Sequence, residues 1–257
     1  MPTALVTGAS SGIGYELAKL LAADGHDLVL VARSGAKLAG LAEELKARHR
    51  VGTKILPKDL ADPGAPAGIA AKLETDGVLV DVLVSSAGFA DYAPFVESDL
   101  GKQLDMIQVN VTALTELTRR FLPGMVERRS GRILNVASTA AFQPGPLMAV
   151  YYATKAYVLS FSEAIANELD GTGVSVTALC PGPTRSGFQD RAAMQDSKLV
   201  QDGLMSAEDV AAAGYRAMMQ GATIEIPGIK NKLGAQLPRV LPRKAAVNVA
   251  RRVQEPA

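Results

Sequence analysis

Tyr151 and Lys155 stand four residues apart in "YYATK", so a helix stacks them on one face while Tyr152 faces elsewhere. A phenol with an ordinary pKa of about 10 carries protons poorly at neutral pH. A neighbouring ammonium favours the phenolate, so Lys155 is expected to lower the pKa of Tyr151 and make it usable as an acid or base. Thirteen residues before Tyr151, Ser138 ends the apolar run "GRILNVAS". Its hydroxyl could hold the same substrate oxygen that Tyr151 protonates.

A second group of residues points to a phosphate. "TALVTGASSGIG" at 3–14 runs from β-branched and small residues into Thr7 and then Gly8, Gly12 and Gly14, with Ser10, Ser11 and Ile13 between them. Strand, glycine-rich turn and helix in that order aim free N–H groups and a helix dipole at a docked anion, and the missing Cβ atoms permit close approach. The stretch ends Gly-Ile-Gly-Tyr and lacks the Gly-Lys-Ser/Thr of a P-loop, so a dinucleotide pyrophosphate is preferred over a nucleoside triphosphate. An NAD site places an acid at the end of the second strand; "DLVLVARS" has Ala32 and Arg33 there. A guanidinium suits a 2'-phosphate, so NADP(H) is expected in preference to NAD(H). The other reading of Arg33 is a solvated residue at the start of a helix.

These motifs together resemble the short-chain dehydrogenase/reductase family, over residues 3 to about 185. The glycine motif, the Tyr-x-x-x-Lys pair Tyr151 and Lys155, and Ser138 fall at the family's spacing. The resemblance implies that Asn110 in "MIQVNVTAL" completes a catalytic set with them. It implies cofactor contacts from Asp59 and Leu60 beside the adenine, from Ala87 and Gly88 after the fourth strand, and from Pro181, Gly182 and Thr184 in "CPGPT". Tyr151 and Lys155 would also touch the cofactor. The chain departs from the family at Ser85-Ser86-Ala87-Gly88, where Asn-Asn-Ala-Gly is usual, so hydroxyls replace an amide that ties the central strands. Some local rigidity should be lost, and no chemistry.

The implied reaction moves a hydride between nicotinamide and a carbonyl or secondary alcohol, with Tyr151 as general acid/base and a cationic nicotinamide adding to the effect of Lys155. Lys155 would bind the nicotinamide ribose, Ser138 polarise the carbonyl and Asn110 position a water linking Lys155 to solvent. Residues 185–205 would form a substrate lid. A sensor or scaffold that binds NADP(H) without turnover is the alternative; the intact Ser138, Tyr151 and Lys155 set argues against it.

Such a site needs a scaffold, and the chain alternates short apolar runs with helical patterns. "ALVTG", "DLVLVAR", "TKILPKD", "DVLVSSAG", "GRILNVAS" and "VSVTALCPG" read as strands. Continuously apolar strands mean that both sheet faces are covered, which predicts a Rossmann-like, doubly wound parallel α/β sheet in a single domain over 1–257. Helical segments at 101–129 and 151–170 carry apolar residues on more than one face, so each either tucks under a loop or meets a sister subunit in a homodimer or homotetramer.

Bulk properties narrow the setting. The net charge of +1 gives no global field for nucleic acid. One cysteine, Cys180, excludes an internal disulfide and suits a reducing, cytoplasmic setting, as does the lack of a secretory pattern at the start. Two histidines, His26 and His49, argue against a metal site or a His-based triad. The uncharged run 133–154 contains Asn135, Gln143, Pro144, Gly145 and Pro146, so it belongs inside the protein rather than in a membrane. Residues 226–252 of the basic C-terminal extension 226–257 hold seven basic residues and no acid, against 20 basic and 25 acidic in 1–225. A helix from Pro242 through Arg252 would offer Ala246, Val247 and Ala250 as an apolar stripe between cations. It either packs on the domain or a sister subunit, or meets an anionic partner, a membrane surface or an acidic acyl carrier.

Overall fold

The computed structural model describes residues 1–187 and 204–254. The six apolar runs become β1 (Thr3–Thr7), β2 (Asp27–Ala32), β3 (Thr53–Pro57), β4 (Val82–Ser85), β5 (Gly131–Val136) and β6 (Val174–Leu179). Two short strands, β7 (Thr184–Arg185) and β8 (Met205–Ser206), pair only with each other, and β9 (Ile224–Glu225) extends the main sheet. The sheet order is β3-β2-β1-β4-β5-β6-β9, every pairing parallel. β9 escaped the sequence reading because two residues carry no periodicity.

Alternate residues of β1, β2, β4, β5 and β6 feed two cores, which is why these strands are apolar on both faces, while the edge strand β3 buries no residue fully. On one face Val6, Leu30, Val84 and Leu134 pack with helices α1 (Gly12–Ala23) and α2 (Gly35–His49). On the other, Leu5, Val29, Leu83 and Ile133 pack against α3 (Ala65–Thr75) and the segment that follows β4. That segment is the expected 101–129 helix with an interruption: α4 (Leu100–Ile107), a π-helical turn at Gln108–Thr112, then α5 (Ala113–Glu127). The run 133–154 divides into β5, a 3-10 turn at Thr139–Phe142 and the start of α6 (Ala149–Glu168). Among the described residues no helix is long and apolar enough to cross a membrane.

The chain winds outward from β1 to β3, then crosses back to β4 on the other side of β1. The carboxyl ends of β1 and β4 therefore lie side by side where the winding reverses, and that is where open α/β sheets form their ligand crevice. Thr7 fastens the two ends: its Oγ1 accepts from the backbone N–H of Ser86 and of Ala87, each at 3.1 Å.

The chain continues through α7 (Ala207–Met219), α8 (Ile229–Val240) and α9 (Arg243–Gln254). Pro242 sits where expected, its carbonyl accepting from the N–H of Ala245 and Ala246 at the start of α9. Of the two readings of this helix's stripe, the packed one holds: Ala246 and Ala250 are buried against the domain, and Val247 keeps partial exposure. Small side chains let a helix approach closely, so the alanines pack. Most of the expected lid, 188–203, lies outside the described residues; its two ends carry β7 and β8.

Candidate active site

A cavity of about 530 Å³ opens at the carboxyl edge of the sheet. The loop after β1 forms one wall. Helix α1 begins at Gly12 with no side-chain cap at Ser11 and no acid in its first turn, whereas Ser34 caps α2 and Asp99 caps α4. Its first N–H groups thus lack an internal acceptor and border the cavity, which suits an anion. The glycines act differently from expectation. A Cβ on Gly8, whose φ is +69°, would lie 2.9 Å from the backbone of Ala87; one on Gly14 would lie 2.6 Å from the carbonyl of Gly8; one on Gly12 would strike Ser186 at 2.7 Å. They let the post-strand loops and α1 close on one another, and the ligand-facing surface follows from that fit.

At the far end of this wall Arg33 lines the cavity together with Ser34, Lys37 and Lys58. Three cations and the start of α2 thus surround one polar corner. Lys37 and Lys58 were missed because they follow the second and third strands in segments with no motif. Asp59 lies in the same corner and accepts from the N–H of Ala61 at 3.0 Å.

The opposite end holds the proton-handling groups. Ser138 follows β5, and its Oγ accepts from the N–H of Ala140 at 3.1 Å, opening the 3-10 turn. Tyr151 and Lys155 lie on the first turns of α6, with Lys155 Nζ 5.8 Å from the centre of the Tyr151 ring. Nζ donates to the carbonyl of Val136 at 2.7 Å. Burial pushes the Tyr151 phenol up to about 12, opposed by its hydrogen bond with Ser138, and pushes the Lys155 ammonium down to about 8. The expected lowering of Tyr151 by Lys155 is therefore corrected: desolvation dominates, and the named opposing contact is Ser138. Tyr152 does not face away either. It lines the same cavity, its ring edge-on to that of Tyr151 at 6.1 Å, because Gly145 leaves room for it; a Cβ there would lie 2.3 Å from the Tyr152 ring.

Asn110 sits in the π-helical turn, buried behind the cavity wall. Its Nδ2 donates to the carbonyl of Phe89 and to Thr154 Oγ1, both at 3.1 Å, and its Oδ1 accepts from the N–H of Phe89 at 3.2 Å. A Cβ built on Gly88 would lie 3.1 Å from Asn110 Oδ1 and 3.6 Å from Lys155 Nζ, so both groups converge beside Gly88. Every expected catalytic or cofactor residue lines the cavity except Asn110 and Gly14, which stand one layer behind it. Gly14 is there because the carbonyl of Gly8 occupies the space in front. Ala250, Val253 and Gln254 of α9 complete the wall opposite the sheet, a role that no spacing in the sequence signals. The Tyr92 hydroxyl donates to the carbonyl of Gln254 at 2.5 Å and holds that end of α9 down.

The short chain dehydrogenase family model matches residues 2–197. A short chain dehydrogenase of Pseudocercospora fijiensis is 39% identical over 188 residues, covering 72% of this chain and 60% of that protein. A very-long-chain 3-oxoacyl-CoA reductase of Phaeosphaeria nodorum is 37% identical over 177 residues, 67% of this chain and 52% of that one. The chain thus spans about half to three-fifths of the length of these curated relatives. A short-chain dehydrogenase from Sphingobium yanoikuyae, solved in complex with NADPH, superposes with a TM-score of 0.83 at 32% identity, covering 95% of this chain and 97% of that one. With the sheet order, the glycine turn and the Ser138, Tyr151 and Lys155 cluster on one cavity, these matches establish that the chain belongs to the short-chain dehydrogenase family.

Proposed function

We propose that the protein is an NADP(H)-dependent oxidoreductase that interconverts a ketone and a secondary alcohol. The observation that carries this reading is one cavity lined both by a cationic corner at Arg33, Lys37 and Lys58 and by a half-buried Ser138 with buried Tyr151 and Lys155 at its other end. The uncapped start of α1 would hold the pyrophosphate and the Arg33 corner the 2'-phosphate. The bound cofactor supplies or accepts the hydride. Ser138 orients the carbonyl oxygen, and Tyr151, kept as a neutral phenol by burial, donates its proton to that oxygen during reduction. Lys155 holds the nicotinamide ribose. Asn110 spends both N–H donors on Phe89 and Thr154, which leaves a lone pair of Oδ1 beside Lys155 for a water that returns the proton.

Phe89, Met148 and Tyr152 give the cavity apolar walls beside the polar side chains of Asp105, Gln143 and Gln254, which suits a carbonyl on a partly hydrocarbon framework. A 3-oxoacyl thioester, the class named for the Phaeosphaeria relative, is a natural first substrate to offer beside simple ketones. The exposed side chains Leu100, Leu104 and Ile107 on α4, with Phe95 and Val96 before it, support a homo-oligomer. The decisive assay follows NADPH absorbance with a panel of ketones and 3-oxoacyl thioesters. Consumption that Tyr151→Phe abolishes is the expected result; tight NADPH binding without consumption of any carbonyl would overturn the enzymatic reading.

A further inference from the structure

The basic C-terminal extension carries an outward apolar stripe on a helix that the sequence reading did not single out. Along α8, Ile229, Leu233, Leu237 and Val240 are 79%, 69%, 48% and 79% exposed. At 3.6 residues per turn the four fall within an arc of about 80°. Ala235 lies on the opposite side of the helix and is buried, so the stripe points directly away from the protein. Lys230 flanks it on one side and Lys232 and Arg239 on the other, with Arg243 and Lys244 following at the start of α9, all exposed. Among the described residues, only Lys232 of these pairs with an acid, Glu225 at 3.7 Å.

We infer that α8 docks the protein onto an anionic lipid surface, its aliphatic stripe entering the headgroup boundary and its flanking lysines and arginines meeting lipid phosphates. Long cationic side chains extend beside an apolar stripe in this way because their stems are apolar and their heads reach the polar layer. Charge complementarity selects this occupant. Residues 226–252 hold seven basic residues and no acid, so a second copy seated on the same face by two-fold symmetry would set cation against cation. An acidic protein would match the cations but leaves unexplained four aliphatic side chains aimed outward in one line.

The helix is firmly tied to the domain. It packs on the 3-10 turn that Ser138 opens, and Asn231 donates to the carbonyl of Pro227 at 2.6 Å while filling the space over Gly182 in the cavity wall. Docking through α8 would therefore set the cavity close to the lipid. If the proposed function holds, amphipathic carbonyl compounds dissolved in that surface are the substrates within reach.

Flotation of the full chain with phosphatidylcholine vesicles containing phosphatidylglycerol tests the inference, without cofactor or substrate, so it stands or falls separately from the enzymatic reading. Binding at low salt is expected, at least about tenfold weaker to pure phosphatidylcholine or in about 0.5 M salt. The double variant Leu233→Asp/Leu237→Asp should lose at least about tenfold in vesicle affinity, with circular dichroism and NADPH affinity unchanged because both side chains are exposed. No binding by the intact chain at low salt overturns the proposal. So does equal binding by the folded double variant, or a double variant whose only defect is the loss of a self-associated form.

Discussion

At the scale of single residues, burial moves the two partners on α6 in opposite directions, each toward its neutral form. With its phenol pushed up to about 12 by burial, Tyr151 enters the reduction direction as the neutral acid that hands its proton to a developing alkoxide. Tyr151→Phe should lower turnover by about 10² to 10⁴-fold while NADPH affinity stays within twofold, and Tyr152→Phe should act mainly on KM, since its ring lines the cavity. Steady-state kinetics with a direct cofactor titration separate the two; the reverse pattern would show that the wrong tyrosine had been assigned. Lys155, pushed down to about 8, is an ammonium below that pH and a neutral amine above it. An anionic cofactor favours the ammonium, so NADPH affinity should fall as pH rises through about 8, with Lys155→Met weak and flat across the range. Arg33→Asp should reverse the cofactor preference, for which the wild type is expected to favour NADPH by at least about tenfold, or about 1.4 kcal/mol. Equal titration of NADPH and NADH by the wild type sinks that reading of the Arg33 corner.

At the scale of elements, the site depends on two strand ends held in register, and the tie is not where the family pattern would put it. Ser85, at the end of β4, is buried with no hydrogen-bond partner for its hydroxyl among the described residues. The loops are joined instead by Thr7, whose Oγ1 accepts two N–H groups and donates to the carbonyl of Val84. Thr7→Val keeps the shape and strands both donors, so it should cost about 1–3 kcal/mol and weaken cofactor binding, while Thr7→Ser recovers most of both. Ser85→Ala should be neutral or slightly stabilising. Chemical denaturation of the three variants checks this, and a larger loss from Ser85→Ala than from Thr7→Val would refute it. The alternation of β1 through β6 with helices was legible because all but the edge strand β3 are apolar on both faces, and β3 still carries the short apolar run Ile55-Leu56. The π-helical turn at Gln108–Thr112 was not, since one extra residue within a continuous helix leaves the surrounding periodicity almost intact. That turn is nevertheless what sets Asn110 between Phe89 and Thr154. The glycine roles were half legible: spacing marked the turn, but only packing shows that Gly8 and Gly14 make room for backbone.

At the scale of the whole molecule, composition said least, because a net charge of +1 averages an acidic body with a basic end. Which helix faces point out is a property of packing, so the sequence left the alanines of α9 open between packing and docking and passed over the aliphatic row of α8. A separate apolar face lies on α4, where Leu100, Leu104 and Ile107 share one side of the helix and Phe95 and Val96 continue it. Elsewhere, on α6, Tyr157 stacks on Phe161 at 5.7 Å and shares a hydrogen bond with Thr115 of α5, which fixes a partly exposed aromatic edge at little entropic cost. A contiguous face of this kind is ordinarily covered. Two-fold pairing would bury it against itself without setting like charges together, unlike the basic face of α8. Leu104→Asp puts a carboxylate at the centre of that contact and costs the isolated chain little, since the side chain is already more than half exposed. Sedimentation velocity at micromolar concentration should show an oligomer for the wild type, a monomer for Leu104→Asp, and the wild-type mass for Leu233→Asp/Leu237→Asp. A monomeric wild type, or an oligomer untouched by Leu104→Asp, would mean that this face is not where copies of the chain meet.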